Sequence, residues 1–209
     1  MKQFVTISEE GEKWLKKGQM WMYKNNVVDL DETIENGSVV DIMTTSNEYI
    51  GTGFISQKSH ILVRILTKNQ NEIIDRDFFK KRICFAYEFR KTVEEENITN
   101  CRIIFGEADQ LPGLTVDRYN DILVCQISSY GLDKIKDMIY EILLEVLHED
   151  GQDVKGIYER NDNKTDDSHG KDDDQNIPQD SYHSQSIENK ESENTIIEES
   201  DNFIVLPTI

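Results

Sequence analysis

Residues 39–66 read VVDIMTTSNEYIGTGFISQKSHILVRIL, and this run decides the fold of the first part of the chain. Three short stretches in it, residues 39–43, 49–55 and 61–66, are rich in the apolar and β-branched residues typical of strands. Turn-forming residues such as Thr45-Ser46-Asn47 separate them. Short strands at this close spacing predict a small β-barrel.

One short helix is predicted beside this barrel. Residues 3–7 alternate between apolar and polar like a further strand, and Ser8 then stands where its hydroxyl can cap the start of a helix. The first turn of that helix is rich in glutamate, which is favourable beside the positive helix end. Gly18 is a typical stop signal, so the helix is expected to end there.

A second unit is predicted downstream of the barrel. Apolar residues recur at three- and four-residue spacing over residues 77–93, which indicates a helix with a broad buried face. That face is expected to contain Phe78, Phe79, Ile83, Phe85, Ala86, Phe89 and Val93. Strands are predicted at residues 101–105, 114–116, 122–127 and 155–158, and a second helix at residues 132–147.

Charge is unevenly distributed along the chain. The 209 residues have a formal net charge of −18, and residues 161–209 carry 13 acidic and 3 basic side chains. Sequence-blind binding to nucleic acid depends on neutralising phosphates, so any RNA contact must be a local basic patch. Residues 161–194 are polar and lack apolar periodicity, which predicts a disordered acidic segment.

The cysteines and the hydropathy pattern favour a cytoplasmic protein. The three cysteines are odd in number, widely spaced and set in apolar runs, which fits reduced core thiols rather than disulfides or a metal cluster. The four histidines lack the spacing of metal ligands, so no metal site is expected. The sequence does not start like a secretory signal, and it has no apolar run as long as a membrane helix.

Two segments carry a likeness to a known family. They are Gly18-Gln-Met-Trp-Met-Tyr-Lys-Asn-Asn-Val27 and Gly106-Glu-Ala-Asp-Gln-Leu-Pro-Gly-Leu-Thr-Val-Asp-Arg-Tyr-Asn-Asp121. Residues 59–67, 77–79 and 156–160 also follow in the expected order. Over residues 1–160 the chain resembles the class I S-adenosylmethionine-dependent large-subunit ribosomal RNA methyltransferases that make 5-methylcytosine.

The resemblance implies an α+β fold with four regions. A PUA-like RNA-binding barrel is expected at residues 1–75 and a small α/β linking domain at residues 76–160. The disordered acidic linker at residues 161–194 would follow. Residues 195–209 resemble the truncated start of a hairpin, with no evident strand to pair against, that leads in this family into the Rossmann-like methyltransferase domain. We expect that catalytic domain to be missing.

Accordingly, no catalytic or cofactor-binding residue is assigned in this chain. The resemblance implies S-adenosylmethionine as the cofactor of the full-length family and a catalytic cysteine in the C-terminal domain. Here the only close glycine pair, Gly51 and Gly53, lies between strand-like runs and is expected to form a hairpin or bulge. Cys84, Cys101 and Cys125 are expected to be apolar fillers.

The RNA-binding candidates combine cations for phosphates with aromatic rings for unpaired bases. They are Lys13, Lys16, Lys17, Trp21, Tyr23, Lys24, Lys58 and Arg64. Alternatives remain open at this point. Trp21 and Tyr23 could instead fill the barrel core, Arg64 could form a structural ion pair, and Lys58 could sit in an ordinary turn. Asp117 and Arg118 are expected to lock their loop against a neighbouring domain.

Three functional hypotheses follow. The first is an RNA-binding N-terminal portion of a ribosomal RNA cytosine methyltransferase that is inactive alone because the chain terminates early. The second is one subunit of a split methyltransferase, completed in trans by a separate S-adenosylmethionine-binding domain, and it predicts an exposed apolar patch near residues 101–127. The third is a regulator that acts through the acidic tail.

Overall fold

The computed structural model describes residues 3–160 and the backbone of one later strand, Phe203–Val205. The segment predicted to be disordered, residues 161–194, lies outside the described residues. The described part is a mixed α+β fold with two sheets, as predicted. None of its helices combines the length and apolar composition needed to cross a membrane.

The first sheet has six strands and curls around its own core as a half-barrel. Its strands are β1 (Phe4–Ile7), β2 (Trp21–Tyr23), β3 (Val27–Leu30), β4 (Val39–Thr44), β5 (Tyr49–Ile55) and β6 (Ile61–Thr67). They lie in the order β2-β6-β5-β4-β1-β3, and all neighbours are antiparallel except β1 and β4, which are parallel. The strands predicted from residues 39–66 are β4, β5 and β6.

Local signals placed the first helix correctly. Helix α1 (Glu9–Lys16) begins after Ser8, whose hydroxyl accepts a hydrogen bond of 3.2 Å from the Gly11 amide. The chain leaves the helix at Gly18, whose φ of 98° favours glycine. The ammonium of Lys68, which the sequence did not single out, donates 2.8 Å to the Leu15 carbonyl near the helix end.

The glycine pair in β5 forms an irregularity in the sheet rather than a cofactor loop. The pairing of β5 with β6 shifts register between Thr52 and Gly53, as expected for a bulge. A Cβ atom at Gly53 would lie 2.1 Å from the backbone oxygen of Arg64. Glycine is therefore required there because the two strands approach too closely for any side chain.

The second sheet has the strand order β11-β10-β9-β8-β7. Its strands are β7 (Arg102–Phe105), β8 (Leu114–Tyr119), β9 (Ile122–Ile127), β10 (Gly156–Glu159) and β11 (Phe203–Val205). β10 is parallel to β9, and the other neighbours are antiparallel. The expectation that the last stretch has no strand to pair against is wrong for β11, which pairs with β10.

Helices α2 (Arg76–Glu94), α3 (Tyr130–Asp133) and α4 (Lys136–Glu149) accompany this sheet. The single helix predicted at residues 132–147 is thus two helices, because the backbone leaves helical geometry at Ile135 (φ −118°, ψ 17°). In α3, Gly131 packs against Phe54 of β5. Helix α3 is therefore held against the half-barrel, whereas α4 packs on α2.

The buried face of α2 is narrower than its apolar pattern predicted. Phe78, Phe79, Ile83 and Ala86 are buried as expected. By contrast, Phe85, Phe89 and Val93 are 64%, 55% and 52% exposed, so the prediction is wrong for these three. The apolar spacing identifies every residue of the helix that could be buried. In the structure, other elements pack against only one side of α2, so the remaining apolar residues stay exposed.

The two units share a hydrophobic contact. Phe54 and Leu66 of the half-barrel belong to the core cluster of the second unit. The ring of Phe54 stacks on that of Phe79 with 6.3 Å between centroids and 4° between planes. Because Gly131 also contacts this ring, Phe54 packs between the half-barrel and the helices of the second unit.

Candidate functional site

The aromatic candidates lie on β2, the edge strand next to α1. Met22 points into the half-barrel core with no exposure, so its neighbours Trp21 and Tyr23 point to the opposite side of the strand. Both are half-buried. The alternative that these rings fill the barrel core is therefore wrong. Met22 fills it instead.

Trp21 is nevertheless committed to a structural contact. Its indole nitrogen donates a hydrogen bond of 2.8 Å to Oε1 of Glu107 in the second unit. Tyr23 packs edge to face against Trp14 of α1, with 6.4 Å between ring centroids. Of the two aromatic candidates, Tyr23 therefore lies with the basic end of α1, and Trp21 lies at the contact between the units.

Arg64 also lies at the contact between the units. It pairs with Trp21 across β2 and β6, which puts both side chains on the same face of the sheet. Its Nη2 atom donates 3.0 Å to the Ser128 carbonyl, while Nε and Nη1 are buried without a hydrogen-bond partner. Burial lowers the pKa of the guanidinium, and the nearby Glu107 carboxylate opposes that shift. Arg64 is thus held by a carbonyl, which neither sequence alternative described.

The lysine candidates separate into paired and unpaired groups. Lys16 bonds Glu12 at 2.5 Å, and this hydrogen bond raises the pKa of the Lys16 ammonium. Lys13, Lys17 and Lys24 are exposed, and no ion pair to them occurs among the described residues. Lys58 is exposed in the turn between β5 and β6.

Several of these cations lie on neighbouring elements, helix α1 and the segment that follows β2, which the Trp14–Tyr23 contact joins. Trp14, which contacts Tyr23, lies one residue after Lys13 and one helical turn before Lys17. The amide of Lys24 donates 3.2 Å to the carbonyl of His60, so Lys24 lies beside the turn between β5 and β6. We call Lys13, Lys17, Tyr23 and Lys24 the lysine edge. A groove of about 490 Å³, lined in part by Lys24, Val28 and Gln57, opens beside it.

The charged residues Asp117 and Arg118, in the segment of residues 106–121 that carries the family likeness, bond within their own unit. Arg102 holds Asp117 across β7 and β8 with two bonds of 2.7 and 3.0 Å. Buried Arg118 donates 2.8 Å to the Asn120 carbonyl. The expectation that Asp117 and Arg118 lock against a neighbouring domain is wrong for the described residues. Glu107 of the same segment makes that contact, through Trp21.

The three thiols sit in apolar surroundings. Cys125 is buried, and Cys84 and Cys101 are half-buried against the same core. Burial raises the pKa of all three thiols above the ordinary value. A catalytic nucleophile needs the opposite shift, because the thiolate is the reactive form. Within residues 3–160, no group of three or more metal-ligating side chains comes together.

The described residues do not fit S-adenosylmethionine. In a Rossmann-like domain the cofactor lies at a glycine-rich turn between a parallel strand and a helix. The turn between β9 and α3, Ser128-Ser129, has no glycine, and the half-barrel occupies its surroundings, because Arg64 binds the Ser128 carbonyl and Phe54 fills the space beside Gly131. The connection between β1 and α1 is the single residue Ser8, and the first turn of the helix contains one glycine, Gly11.

Replacing Trp21 with phenylalanine tests its structural role. The variant keeps a ring but leaves the Glu107 carboxylate without its indole donor, so we expect the free energy of unfolding to fall by about 2 kcal/mol. RNA affinity should stay unchanged. Urea denaturation measures the first quantity, and Tyr23→Phe, which removes a hydroxyl with no hydrogen bond in the described structure, is the matched control. Equal stability of both variants would contradict the assignment.

Comparisons with known proteins identify sequence relatives of the half-barrel and of the second unit. Residues 5–68 match the family described as PUA-like domain. The ribosomal RNA large subunit methyltransferase I of Aliivibrio fischeri (strain MJ11) is 33% identical over 159 residues, which cover 76% of this chain and 39% of the relative. The protein of the same name from Shewanella amazonensis is 36% identical with the same coverage.

Solved structures show the same fold. A Streptococcus mutans protein assigned as a SAM-dependent methyltransferase superposes with a TM-score of 0.65 at 20% identity, over 77% of this chain and 40% of that one. The chain therefore spans about two fifths of the length of the relatives it matches. It contains a PUA-like domain, and it is a homologue of the N-terminal part of the large-subunit ribosomal RNA methyltransferases I.

Proposed function

We propose that this chain binds ribosomal RNA as the recognition part of a large-subunit ribosomal RNA cytosine methyltransferase. The observation that carries the proposal is the lysine edge on the PUA-like domain. Its three ammonium groups are exposed and lack ion pairs within residues 3–160, in a chain whose overall charge is −18. A ribosomal RNA target also implies a cytoplasmic location.

The strong negative charge of the chain favours RNA binding at the lysine edge over the rest of the surface. Release of counterions from phosphates drives RNA association, and only unpaired cations gain from it fully. Lys16 already neutralises Glu12 and contributes less. Acidic surfaces repel the phosphates elsewhere, so RNA should approach at Lys13, Lys17 and Lys24. Tyr23 and the groove beside Lys24 can then receive an unpaired base.

Methyl transfer by this chain alone is not part of the proposal. S-adenosylmethionine supplies the methyl group in the full-length family, and residues 3–160 offer no fitting turn for it. We expect no methylation by the purified chain without a methyltransferase domain. Isothermal titration calorimetry of the chain with S-adenosylmethionine should show no heat of binding, and saturable binding would contradict this expectation.

A second candidate is completion in trans by a separate S-adenosylmethionine-binding domain. The exposed Phe105 and Tyr119, at 55% and 59%, favour it because they lie within the range where an apolar docking patch is expected. Association of the chain at high concentration would support it. A monodisperse monomer in sedimentation velocity would count against it.

The triple substitution Lys13→Ala, Lys17→Ala and Lys24→Ala tests the main proposal. Removing one lysine–phosphate contact should reduce the slope of log affinity against log salt by about 0.7 to 1, so we expect a total decrease of about 2 to 3. Affinity for ribosomal RNA fragments at low salt should fall at least about tenfold. Fluorescence anisotropy over a salt series measures both.

The matched control is the double variant Lys134→Ala and Lys155→Ala. Both side chains are exposed but belong to the second unit, and Lys155 is already bonded to Asp121 at 2.8 Å. Its salt slope should change by no more than about 1. Equal losses in the two variants would mean that binding follows total charge rather than the lysine edge.

A further inference from the structure

Three exposed phenylalanines form a series on one side of the second unit. Phe85 and Phe89 of α2 and Phe105 of the edge strand β7 are 64%, 55% and 55% exposed. Side chains four residues apart on a helix are about 6 Å apart, so Phe85 and Phe89 are neighbours. We call these three residues the phenylalanine stripe. Single exposed apolar residues are ordinary, but a series of rings marks a contact surface.

Arg90 connects the helix to the strand within this stripe. Its guanidinium lies 5.0 Å from the centroid of Phe89, and its Nε atom donates 2.8 Å to the Arg102 carbonyl in β7. Arg102 in turn carries its own guanidinium 5.1 Å from the centroid of Phe105. Phe89 and Phe105 are therefore joined through two arginines.

Each ring of the stripe has a cation beside it. Lys81 lies 5.9 Å from the centroid of Phe85, which completes the set begun by Arg90 and Arg102. Alternating aromatic rings and cations are the chemistry that binds single-stranded nucleic acid, because rings stack on bases while cations hold the backbone. Arg90 and Arg102 are already paired with Asp109 and Asp117, so they hold their rings in place, and Lys81 is the cation of the series without an ion pair among the described residues.

A cleft of about 740 Å³ opens at one end of the stripe, between the half-barrel and α2. Phe85 and Lys81 line it together with Lys68 and Arg82. Its two carboxylates are already engaged. Glu72 is paired with Arg82 at 3.8 Å and Asp109 with Arg90 at 2.7 Å, so Lys68 and Lys81 are the lining cations that these carboxylates leave unpaired. The cleft therefore presents more positive than negative charge within a strongly acidic chain.

From these contacts we propose that the phenylalanine stripe and the adjoining cleft bind an unpaired segment of RNA, with bases stacked on Phe85, Phe89 and Phe105. The proposal rests on the proposed RNA-binding function and adds a second surface, for single-stranded RNA, to the lysine edge. Phe85 and Phe89 lie one helical turn apart, so successive bases of an extended strand can each meet one of these rings.

A protein partner fits this surface less well. Packing apolar side chains on the rings would remove Lys81 from water, and burial of a charge is costly without a new partner. RNA supplies such a partner in its phosphates. Glu88, an exposed carboxylate between Phe85 and Phe89 on the same helix, is held by Lys91 at 3.1 Å.

The test uses the full chain carrying Phe85→Leu, Phe89→Leu and Phe105→Leu. Leucine keeps apolar bulk but removes the flat ring, so folding should persist, as circular dichroism can verify. The probes are an unpaired oligoribonucleotide of about 12 nucleotides and a hairpin whose bases are paired except in its short loop. The control is Phe4→Leu, a phenylalanine of similar exposure (53%) on the other sheet.

We expect the triple variant to bind the unpaired oligonucleotide about a hundredfold more weakly, since loss of stacking at each of the three rings costs about fivefold. Its affinity for the hairpin should stay within about twofold, and Phe4→Leu should match the wild type. A probe carrying 5-iodouridine should form photo-crosslinks to peptides containing Phe85, Phe89 or Phe105.

Other results would overturn the proposal. If the triple variant binds the unpaired RNA normally while the lysine-edge variant loses the hairpin, the stripe is not an RNA surface but the proposed function stands. If the wild type binds neither RNA, both ideas fail. An unchanged RNA affinity combined with loss of self-association would identify the stripe as a protein contact. Equal loss on both RNAs would exclude selectivity for unpaired segments.

Discussion

Phe54→Ala is expected to lower the free energy of unfolding by about 3–5 kcal/mol and to uncouple the two units. Phe54 is 4% exposed, stacks on Phe79 and fills the space beside Gly131. It is the half-barrel's largest contribution to the core of the second unit. Its removal leaves a cavity at the contact between the units, and only Leu66 and polar contacts such as Trp21 with Glu107 are then left from this contact.

Uncoupling should be visible in calorimetry. The wild type is expected to unfold in one transition, whereas Phe54→Ala should show two, because each unit retains its own cluster of buried residues. Ile42→Ala is the matched control, since Ile42 is fully buried within the half-barrel core alone. That variant should lose comparable stability but keep a single transition. A single transition in both variants would show that Phe54 does not couple the units.

The same variant has a functional consequence if RNA uses both surfaces. The lysine edge lies on the half-barrel and the phenylalanine stripe on the second unit, so their relative position depends on this contact. Linked sites bind one ligand more tightly than separate ones because the second contact becomes intramolecular. RNA that spans both surfaces should therefore lose affinity in Phe54→Ala, whereas short hairpins should not.

Local signals in the sequence were sufficient for much of the fold. The apolar runs of residues 39–66 predicted β4, β5 and β6, and Ser8 and Gly18 marked the ends of α1. These features depend on neighbouring residues only. Strands β2 and β3 were missed because they have only three and four residues and are flanked by polar ones. An alternation of apolar and polar residues over so short a stretch cannot be distinguished from a loop.

Contacts distant in sequence could not be predicted in this way. Trp21 and Glu107 are 86 residues apart, and neither residue type signals the other. Arg64 was noticed as a polar residue in an apolar strand, but its partner, the Ser128 carbonyl, has no signature in sequence. The exposure of Phe85 and Phe89 was missed for the same reason, since burial depends on what packs against a helix.

Gly53→Ala is expected to destabilise the protein by about 3 kcal/mol or more, at the upper end for an overpacked site. The added Cβ would lie 2.1 Å from the Arg64 oxygen and 2.8 Å from the Arg64 carbonyl carbon. Both atoms are backbone, so no side-chain rotation relieves the clash, and β5 must move away from β6. Gly51→Ala is the graded control, because its Cβ would meet the Thr67 oxygen at 3.0 Å, and it should cost clearly less. Urea denaturation measures both. Equal stability of Gly53→Ala and wild type would mean that β5 and β6 can separate without loss of stability. Movement of β5 away from β6 should also weaken the bond from Arg64 to the Ser128 carbonyl, which joins the two units.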